Sequence, residues 1–197
     1  MSRFKQQLGI QLFLAWHGLM KPLLLKSVSA FAGLILWASL PTAYAYADPT
    51  PEYALKAAFI YNFATFTEWP VKSAETLNLC VLGSDPFNNA LNSIEGKLVG
   101  NAKLAIKHVA TNGNALRGCQ MVFISASERG DLQTILDIAR ESAILTIADL
   151  QGAAQQGVMI GMTVEQKKIT FEINLEAARR AKLNISSKLL RLAKVVY

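Results

Sequence analysis

The sequence predicts an α/β fold: a single compact domain with a largely parallel central sheet flanked by helices, and a C-terminal β-hairpin and helix. Two observations predict it. Short apolar runs alternate with helical stretches after residue 48, a pattern typical of parallel strands joined by crossover helices. About 150 residues follow that point without a repeat, a linker or a low-complexity run, which is the length of one domain.

Residues 1–47 are predicted to be an export segment. Two lysines give it a basic start, residues 28–40 an apolar core and residues 45–47 a small-x-small cleavage site. An uncleaved membrane anchor is the alternative, although the apolar core is shorter than the roughly 20 residues that span a bilayer. With Met20 as the biological start, cleavage after Ala47 leaves a periplasmic domain of residues 48–197.

Export changes the charge balance of the protein. Four of the 20 basic residues precede Asp48 and none of the 14 acidic residues does, which leaves a net charge near +2. That balance does not favour nucleic-acid binding. The surplus follows Glu176 as a cationic run, which indicates either a solvated helix face or a surface for an acidic partner or anionic lipid. Its members are Arg179, Arg180, Lys182, Lys188, Arg191 and Lys194.

The predicted domain begins with an aromatic helix. Thr50 is the expected N-cap, Pro51 takes the first helical position, and Trp69-Pro70 ends the segment because the residue before proline avoids the helical region. Apolar residues recur at helical spacing, which is typical of a core stripe; a partner-binding surface is the alternative. The stripe comprises Leu55, Phe59, Phe63 and Phe66, and Tyr53, Tyr61 and Trp69 add to it.

The remaining elements are predicted from short apolar runs and the turn residues between them. The predicted strands are 77–82, 102–109, 120–125 and 143–148, followed by a hairpin of 158–164 and 168–173 with an uncertain turn type. The predicted helices are a short one that ends near residue 92, one over 131–140 and a final one over 175–194.

The chain has two cysteines, and both lie at predicted strands. Cys80 falls within the first strand and Cys119 at the start of the third. Neighbouring strands can bring two such residues within the ~5.5 Å Cα separation of a disulfide. An oxidising compartment favours the bond, and free buried thiols are the alternative.

The sequence after residue 48 carries no recognisable catalytic motif. His108 is its only histidine and is predicted to be exposed on a strand. Motifs for a serine nucleophile, a zinc site or a phosphate-binding loop are missing from the sequence. We therefore expect no enzyme, no metal and no cofactor.

Polar residues follow three of the predicted strands, at the edge where α/β sheets bind small molecules. Hydroxyls and carboxylates there can bind a polar ligand, or they can simply cap the helices that follow. These residues, called the rim below, are Gly83, Ser84, Asp85, Ser125, Ser127 and Asp149.

Ordered sequence blocks give the chain a family resemblance along the whole length after residue 48. The blocks are YALKAAFIYNF at 53–63, EWP at 68–70, LCVLG at 79–83, DPF at 85–87, GC at 118–119, VFIS at 122–125, ITFEINL at 169–175, AAR at 177–179 and ISSKLLRLA at 185–193. In this order they resemble the YfiR family of bacterial periplasmic proteins. Gly157-Val158 departs from the Gly-Gly that family members tend to show before Met159, and a second cysteine pair found in some members is missing.

The resemblance implies regulation rather than catalysis. It implies a periplasmic repressor that binds the periplasmic part of a membrane-bound diguanylate cyclase and thereby controls cyclic di-GMP and biofilm formation. It also implies that Cys80 and Cys119 form a disulfide. A periplasmic small-molecule-binding module that uses the rim is the alternative.

Candidate partner-binding residues follow from the enrichment of interfaces in Trp, Tyr and Arg. The protein is expected to be a homodimer, and both the first helix and the basic last helix are candidate faces. The residues are Tyr61, Phe66, Trp69, Arg179, Arg180 and Arg191.

Overall fold

The structure, a computed structural model, describes residues 51–70, 75–110 and 116–197. These residues fall within one unit, Ala47–Tyr197. The predicted export segment, its cleavage site and the expected N-cap Thr50 lie outside the described residues. They stay predictions.

Ten strands are described, and eight of them form one sheet. The eight are β2 (Thr76–Leu82), β3 (Leu98–Val99), β4 (Ala102–Val109), β5 (Met121–Ile124), β6 (Leu145–Ala148), β7 (Ile160–Glu165), β8 (Lys168–Ile173) and β10 (Val195–Val196). The other two, β1 (Thr67–Glu68) and β9 (Asn184–Ile185), pair with each other in antiparallel orientation. The order across the large sheet is β10-β8-β7-β6-β5-β2-β4-β3.

The centre of the sheet is parallel, as the sequence predicts. Strands β4, β2, β5, β6 and β7 run in one direction. Strand β3 is antiparallel to β4, β8 is antiparallel to β7, and β10 is parallel to β8. Every residue of β5 and β6 is buried. Strands buried on both faces require cover on both sides, which is why their sequences are continuous apolar runs.

Helices supply that cover. The described helices are α1 (Pro51–Thr65), α2 (Leu132–Glu141), α3 (Leu175–Arg180) and α4 (Ser187–Leu190), with 3₁₀ turns at Ala90–Ser93 and Ala126–Asp131. Successive strand residues point to opposite faces: Leu79 and Val81 of β2 join the core beneath α1, whereas Cys80 and Leu82 join the core beneath α2. We call these two sides the α1 face and the α2 face.

The buried stripe of α1 differs from the predicted one. Ile60 and Phe63 are fully buried, but Leu55 is 50% exposed, and Lys56 occupies the buried position one turn before Ile60. Phe63 packs edge-on against Phe171 of β8, with ring centroids 5.1 Å apart. Burial of a side chain of this kind contributes about 1.5–3 kcal/mol. The helix ends at Thr65, before the predicted boundary, because the next residues form β1.

The hairpin of β7 and β8 is confirmed, and the structure defines its turn. Glu165 pairs with Lys168, so the loop has two residues, Gln166 and Lys167. Both have positive φ, 49° and 63°. Two consecutive residues of this conformation make the type I′ geometry whose twist matches that of the strands, here without the usual Asn-Gly pair.

The predicted final helix over 175–194 is wrong, because the chain breaks it after Arg180 and the second helix ends at Leu190. Lys182 adopts a positive φ of 60°, after which β9 pairs with β1 at the other end of the sequence. The two helices on either side of this break each have their own N-cap: the side chain of Asn174 caps α3, and that of Ser186 caps α4. The segment therefore contains two short helices, followed by β10 at the edge of the sheet.

Candidate functional site

Cys80 and Cys119 are joined by a disulfide beneath the α2 face. Their Cα atoms are 5.9 Å apart, and both residues are buried. The bond is possible because β2 and β5 are direct neighbours, with Cys80 opposite Val122. It closes a loop whose ends are separated by 39 residues.

Three rim residues come together between β2 and the turn that follows β5. Gly83 has a φ of +86°, and a Cβ built there would lie 2.3 Å from Ser127 Oγ. The backbone N–H of Ser84 donates to the same Oγ at 3.0 Å, and that hydroxyl donates to Glu128 Oε1 at 2.9 Å. Only glycine allows so close an approach, so this part of the rim is held together by its own hydrogen bonds.

Two further rim residues serve the local backbone. Asp85 Oδ1 accepts a hydrogen bond from the Phe87 N–H at 2.7 Å, and its other oxygen lies 3.7 Å from His108 Nδ1. Ser125 is buried; its N–H donates to Leu82 O, and its carbonyl accepts from Glu128 N. Neither side chain caps a helix: the contact of Asp85 is local to the turn, and Ser125 precedes the 3₁₀ turn at Ala126 without a side-chain capping hydrogen bond. A ligand role for the rim stays a prediction.

Asp149, the last rim residue, binds the first helix. Its carboxylate accepts hydrogen bonds from Lys56 Nζ at 2.5 Å and from the Tyr53 hydroxyl at 3.2 Å. Lys56 also pairs with Glu52 at 2.5 Å, and its ammonium lies 4.5 Å from the centroid of the Tyr53 ring. Lys56 is 1% exposed, whereas the side chains of Glu52 and Asp149 are 43% and 20% exposed. The cluster links the start of α1 to the carboxyl end of β6.

Electrostatics keep Lys56 charged. Burial by itself lowers the pKa of its ammonium, but the hydrogen bonds to Asp149 and Glu52 outweigh it, and the pKa is raised above 10.5. Burial, followed by the negative charge of Asp149, also raises the pKa of the Tyr53 hydroxyl. A lysine that is protonated at neutral pH is neither a nucleophile nor a base there. The cluster therefore acts as an anchor for α1 and not as a reactive centre.

The three aromatic candidates of the first helix and its end are each tied to the body of the domain. The Tyr61 hydroxyl donates to Leu98 O at 2.8 Å, and the Trp69 indole N–H donates to Gln120 O at 3.1 Å. Phe66 packs against the core of the α1 face. All three are half-buried, so each leaves only part of its surface for a partner.

The three arginine candidates are exposed and lie in two neighbouring segments of the chain. Arg180 pairs with Glu176 at 3.0 Å. Arg179 and Arg191 form no ion pair with any other described residue, and neither does Lys188 between them. Leu192, next to Arg191, is 69% exposed, more than any other large apolar residue of the described part. Unpaired cations and an exposed leucine thus lie close together in the sequence of this segment.

Two searches of the described residues gave negative results. No group of three or more His, Cys, Asp or Glu side chains within 51–70, 75–110 and 116–197 is placed to hold a metal ion. Over the same ranges, no helix is both long and apolar enough to cross a membrane.

One of two similar solved structures supports the fold. A conserved domain protein from Vibrio cholerae O1 biovar El Tor aligns with a TM-score of 0.50 at 10% identity, over 74% of this chain and 60% of that one. The ABC domain in complex with L-Trp from Streptococcus pneumonia aligns with a TM-score of 0.46 at 12% identity, over 61% and 55%. The chain thus spans less than two thirds of either protein.

Comparison with protein families is more informative. A model of the YfiR/HmsC-like family matches residues 53–194, from the first turn of α1 to the residue before β10. This family is periplasmic, regulatory and non-catalytic. Among the sequence blocks that carry the resemblance, YALKAAFIYNF lies in α1, LCVLG and GC contain the two disulfide cysteines, and ITFEINL covers the end of β8 and the start of α3. The chain therefore belongs to the YfiR/HmsC-like family.

Proposed function

We propose that this protein is a non-enzymatic periplasmic regulator that binds and inhibits the periplasmic part of an inner-membrane diguanylate cyclase. It would thereby control cyclic di-GMP and biofilm formation. The observation that carries this proposal is the family match over residues 53–194. Export of the chain, which the proposal requires, rests on the predicted segment 1–47.

The surface that we propose for the cyclase is the C-terminal one, defined by Arg179, Lys188, Arg191 and Leu192. Its three cations have no ion-pair partner among the described residues, and no acidic residue follows Glu176 in the sequence. The exposed Leu192 supplies an apolar centre next to them. Arginine beside apolar surface is typical of protein interfaces, and the charge favours an acidic patch on the cyclase.

The first-helix residues Tyr61, Phe66 and Trp69 are a second candidate surface. They rank below the C-terminal surface because their polar atoms and part of their rings already contact the domain. Arg180 ranks lower for the same reason, since Glu176 pairs with it. A homodimer stays part of the proposal, and light scattering of the purified protein measures it directly.

A genetic experiment tests the proposal. Deletion of the gene in a strain that retains the cyclase should raise cyclic di-GMP and biofilm formation, and the wild-type gene should restore both. The double variant Arg191→Glu/Leu192→Glu should fail to restore them, because it reverses a charge and removes the apolar centre. Unchanged cyclic di-GMP after deletion would contradict the regulator itself.

A matched variant separates a lost interface from a lost fold. Leu98 is 59% exposed in β3, at the sheet edge opposite β10. Leu98→Glu makes the same leucine-to-glutamate change at the far edge of the sheet. It should restore repression as well as the wild type does. If Leu98→Glu fails and Arg191→Glu/Leu192→Glu succeeds, the C-terminal surface is the wrong one and the regulator reading survives.

A further inference from the structure

A groove of about 200 Å³ is lined by residues of α2, of α3 and of the segment that precedes β7. Leu136 of this lining packs on the α2 face, whereas Met159 and Ala177 belong to the α1 face. Arg140 of α2 and Arg180 of α3 both line it, and Thr146 and Met159 lie between these two helices in the lining. Sites for drug-sized ligands occupy about 300–1,000 Å³. The groove therefore fits a small metabolite and nothing larger.

The groove is preformed, because hydrogen bonds fix the segment that borders it. Gln133 Nε2 donates to Gln156 O at 3.2 Å, Asn174 Nδ2 donates to Ala154 O at 2.8 Å, and the Met159 N–H donates to Thr146 Oγ1 at 2.9 Å. A ligand that enters a fixed site does not have to order it, which favours binding.

Gly157 keeps the groove open. Its φ is +104°, and a Cβ at this position would lie 3.3 Å from Leu136 Cδ1, a second lining residue. A side chain here would be strained and would press into the apolar wall. This position is also where the chain has Gly157-Val158 in place of a glycine pair.

The two arginines have donors to spare. Arg140 Nη2 pairs with Asp137 at 2.8 Å, and Arg180 Nε pairs with Glu176 at 3.0 Å, each within its own helix. Both acidic partners have side chains more than half exposed, and exposed pairs of this kind contribute little to stability. A guanidinium carries five N–H donors in a fork that matches a carboxylate, so each arginine can bind a carboxylate as well as its helix partner.

The lining residues other than the two arginines determine which group the ligand can carry beside its carboxylate. The smaller, apolar part of the lining comes from Leu136, Met159 and Ala177 and offers a short hydrocarbon a limited surface. The carboxylate of Asp137 lines the same groove, and it repels a second negative charge on the ligand. A monoanion is therefore preferred over phosphate, sulfate or a dicarboxylate.

We propose that the groove between α2 and α3 binds a small aliphatic monocarboxylate, with Arg140 and Arg180 holding the carboxylate and Leu136, Met159 and Ala177 holding the hydrocarbon. This site shares no residue with the C-terminal surface proposed for the cyclase or with the rim.

Titration with sodium valerate, followed by ¹H–¹⁵N correlation spectra of the protein expressed from its full 197-residue sequence, tests the site. Saturable shifts are expected at the amides of Gly157, Met159 and Ala177. With roughly seven heavy atoms, valerate should bind with a Kd of about 30 mM or tighter if the groove is a true site. Arg140→Gln and Arg180→Gln should each weaken binding about tenfold, the loss typical of one charge-assisted hydrogen bond.

Arg179→Gln is the matched control, because Arg179 neighbours Arg180 on α3 but does not line the groove. Its Kd for valerate should equal that of the wild type. Three results would overturn the site: no saturable shift at the groove amides, equal weakening by Arg179→Gln, or no weakening by either groove variant. Sodium sulfate that shifts the same amides as strongly as valerate would overturn the carboxylate class. Well-dispersed spectra of each variant establish that it is folded.

Discussion

The two faces of the central sheet are built from different side chains and are held together by different means. The α1 face carries a chain of aromatic contacts, among them Phe63–Phe171 at 5.1 Å and Phe87–Phe123 at 4.7 Å between ring centroids. The α2 face is mostly aliphatic and carries the disulfide. A 15-residue helix covers the first face and a 10-residue helix the second.

The difference shows that the two faces of one sheet can be stabilised by different kinds of contact. Large rings and the Lys56–Asp149 ion pair hold α1 against the sheet, so noncovalent contacts stabilise that face. The shorter α2 covers less surface, and a covalent bond between β2 and the start of β5 compensates for that. The groove beside α2 takes its lining from both faces, with Leu136 from the α2 face and Met159 and Ala177 from the α1 face.

The largest expected effect is loss of the disulfide. The double variant Cys80→Ala/Cys119→Ala should lower the free energy of unfolding by roughly 4 kcal/mol, because the unfolded chain regains the entropy of a 39-residue loop. Chemical denaturation of the variant beside the oxidised wild type measures it. A loss below about 1 kcal/mol would mean that packing also dominates the α2 face.

Lys56→Met should cost less, about 3 kcal/mol, because it leaves the partly buried Asp149 without its cation. Glu52→Gln is the control and should cost under about 1 kcal/mol, since the Glu52 side chain is 43% exposed. The double variant Lys56→Met/Asp149→Leu should recover part of the loss, because no unpaired charge remains. If Lys56→Met proves neutral, the ion pair does not anchor α1.

Gly157→Ala should have a smaller effect, a loss of about 1–2 kcal/mol from strain at a φ of +104°. It should also weaken valerate binding, because the added methyl group points towards Leu136. Gly130→Ala is the matched control: a Cβ there meets nothing within 4 Å, and its φ is not positive. Equal losses for both glycines would show that Gly157 is not constrained by the groove.

The smallest effect is confined to alkaline pH. Because the pKa values of Lys56 and Tyr53 are raised in the folded state, the unfolded chain loses these protons first, and folding is favoured below the unfolded pKa values. That stability is lost as the pH rises through the pKa values of the folded state, which lie above 10.0 for Tyr53 and above 10.5 for Lys56. Denaturation across this range should show a steeper decline for the wild type than for Lys56→Met. Parallel curves would contradict the raised lysine pKa.

Much of the fold could be predicted from local pattern. The bounds of β4 and β8 agree with the predicted strands, and β5 and β6 lie within theirs, since buried apolar runs flanked by turn residues are strong local signals. The final segment failed for a physical reason. Its helical periodicity is real, but the break at β9 depends on pairing with β1, more than a hundred residues earlier, and no local signal encodes that contact.

The site shows the same division. The rim residues were found from their position after strands, yet the partner of Asp149 was missed because a lysine in a helix is usually exposed. A signal was present: Lys56 precedes Ile60 and Phe63 by four and seven residues, on the buried stripe. A lysine on such a stripe requires a carboxylate, and Asp149 supplies it. The groove had no comparable signal, because only tertiary packing brings Arg140 and Arg180 into the lining of the same groove.

The most direct test of the regulator is to identify what the protein binds in the cell. The tagged protein should be crosslinked in the periplasm and purified from solubilised membranes, with Arg191→Glu/Leu192→Glu and Leu98→Glu treated identically, and the retained proteins identified by mass spectrometry. The account predicts a membrane protein with a cytoplasmic diguanylate cyclase domain, retained by the wild type and Leu98→Glu and lost from the double variant. Recovery of the tagged protein alone, from a strain that expresses such a cyclase, would contradict it.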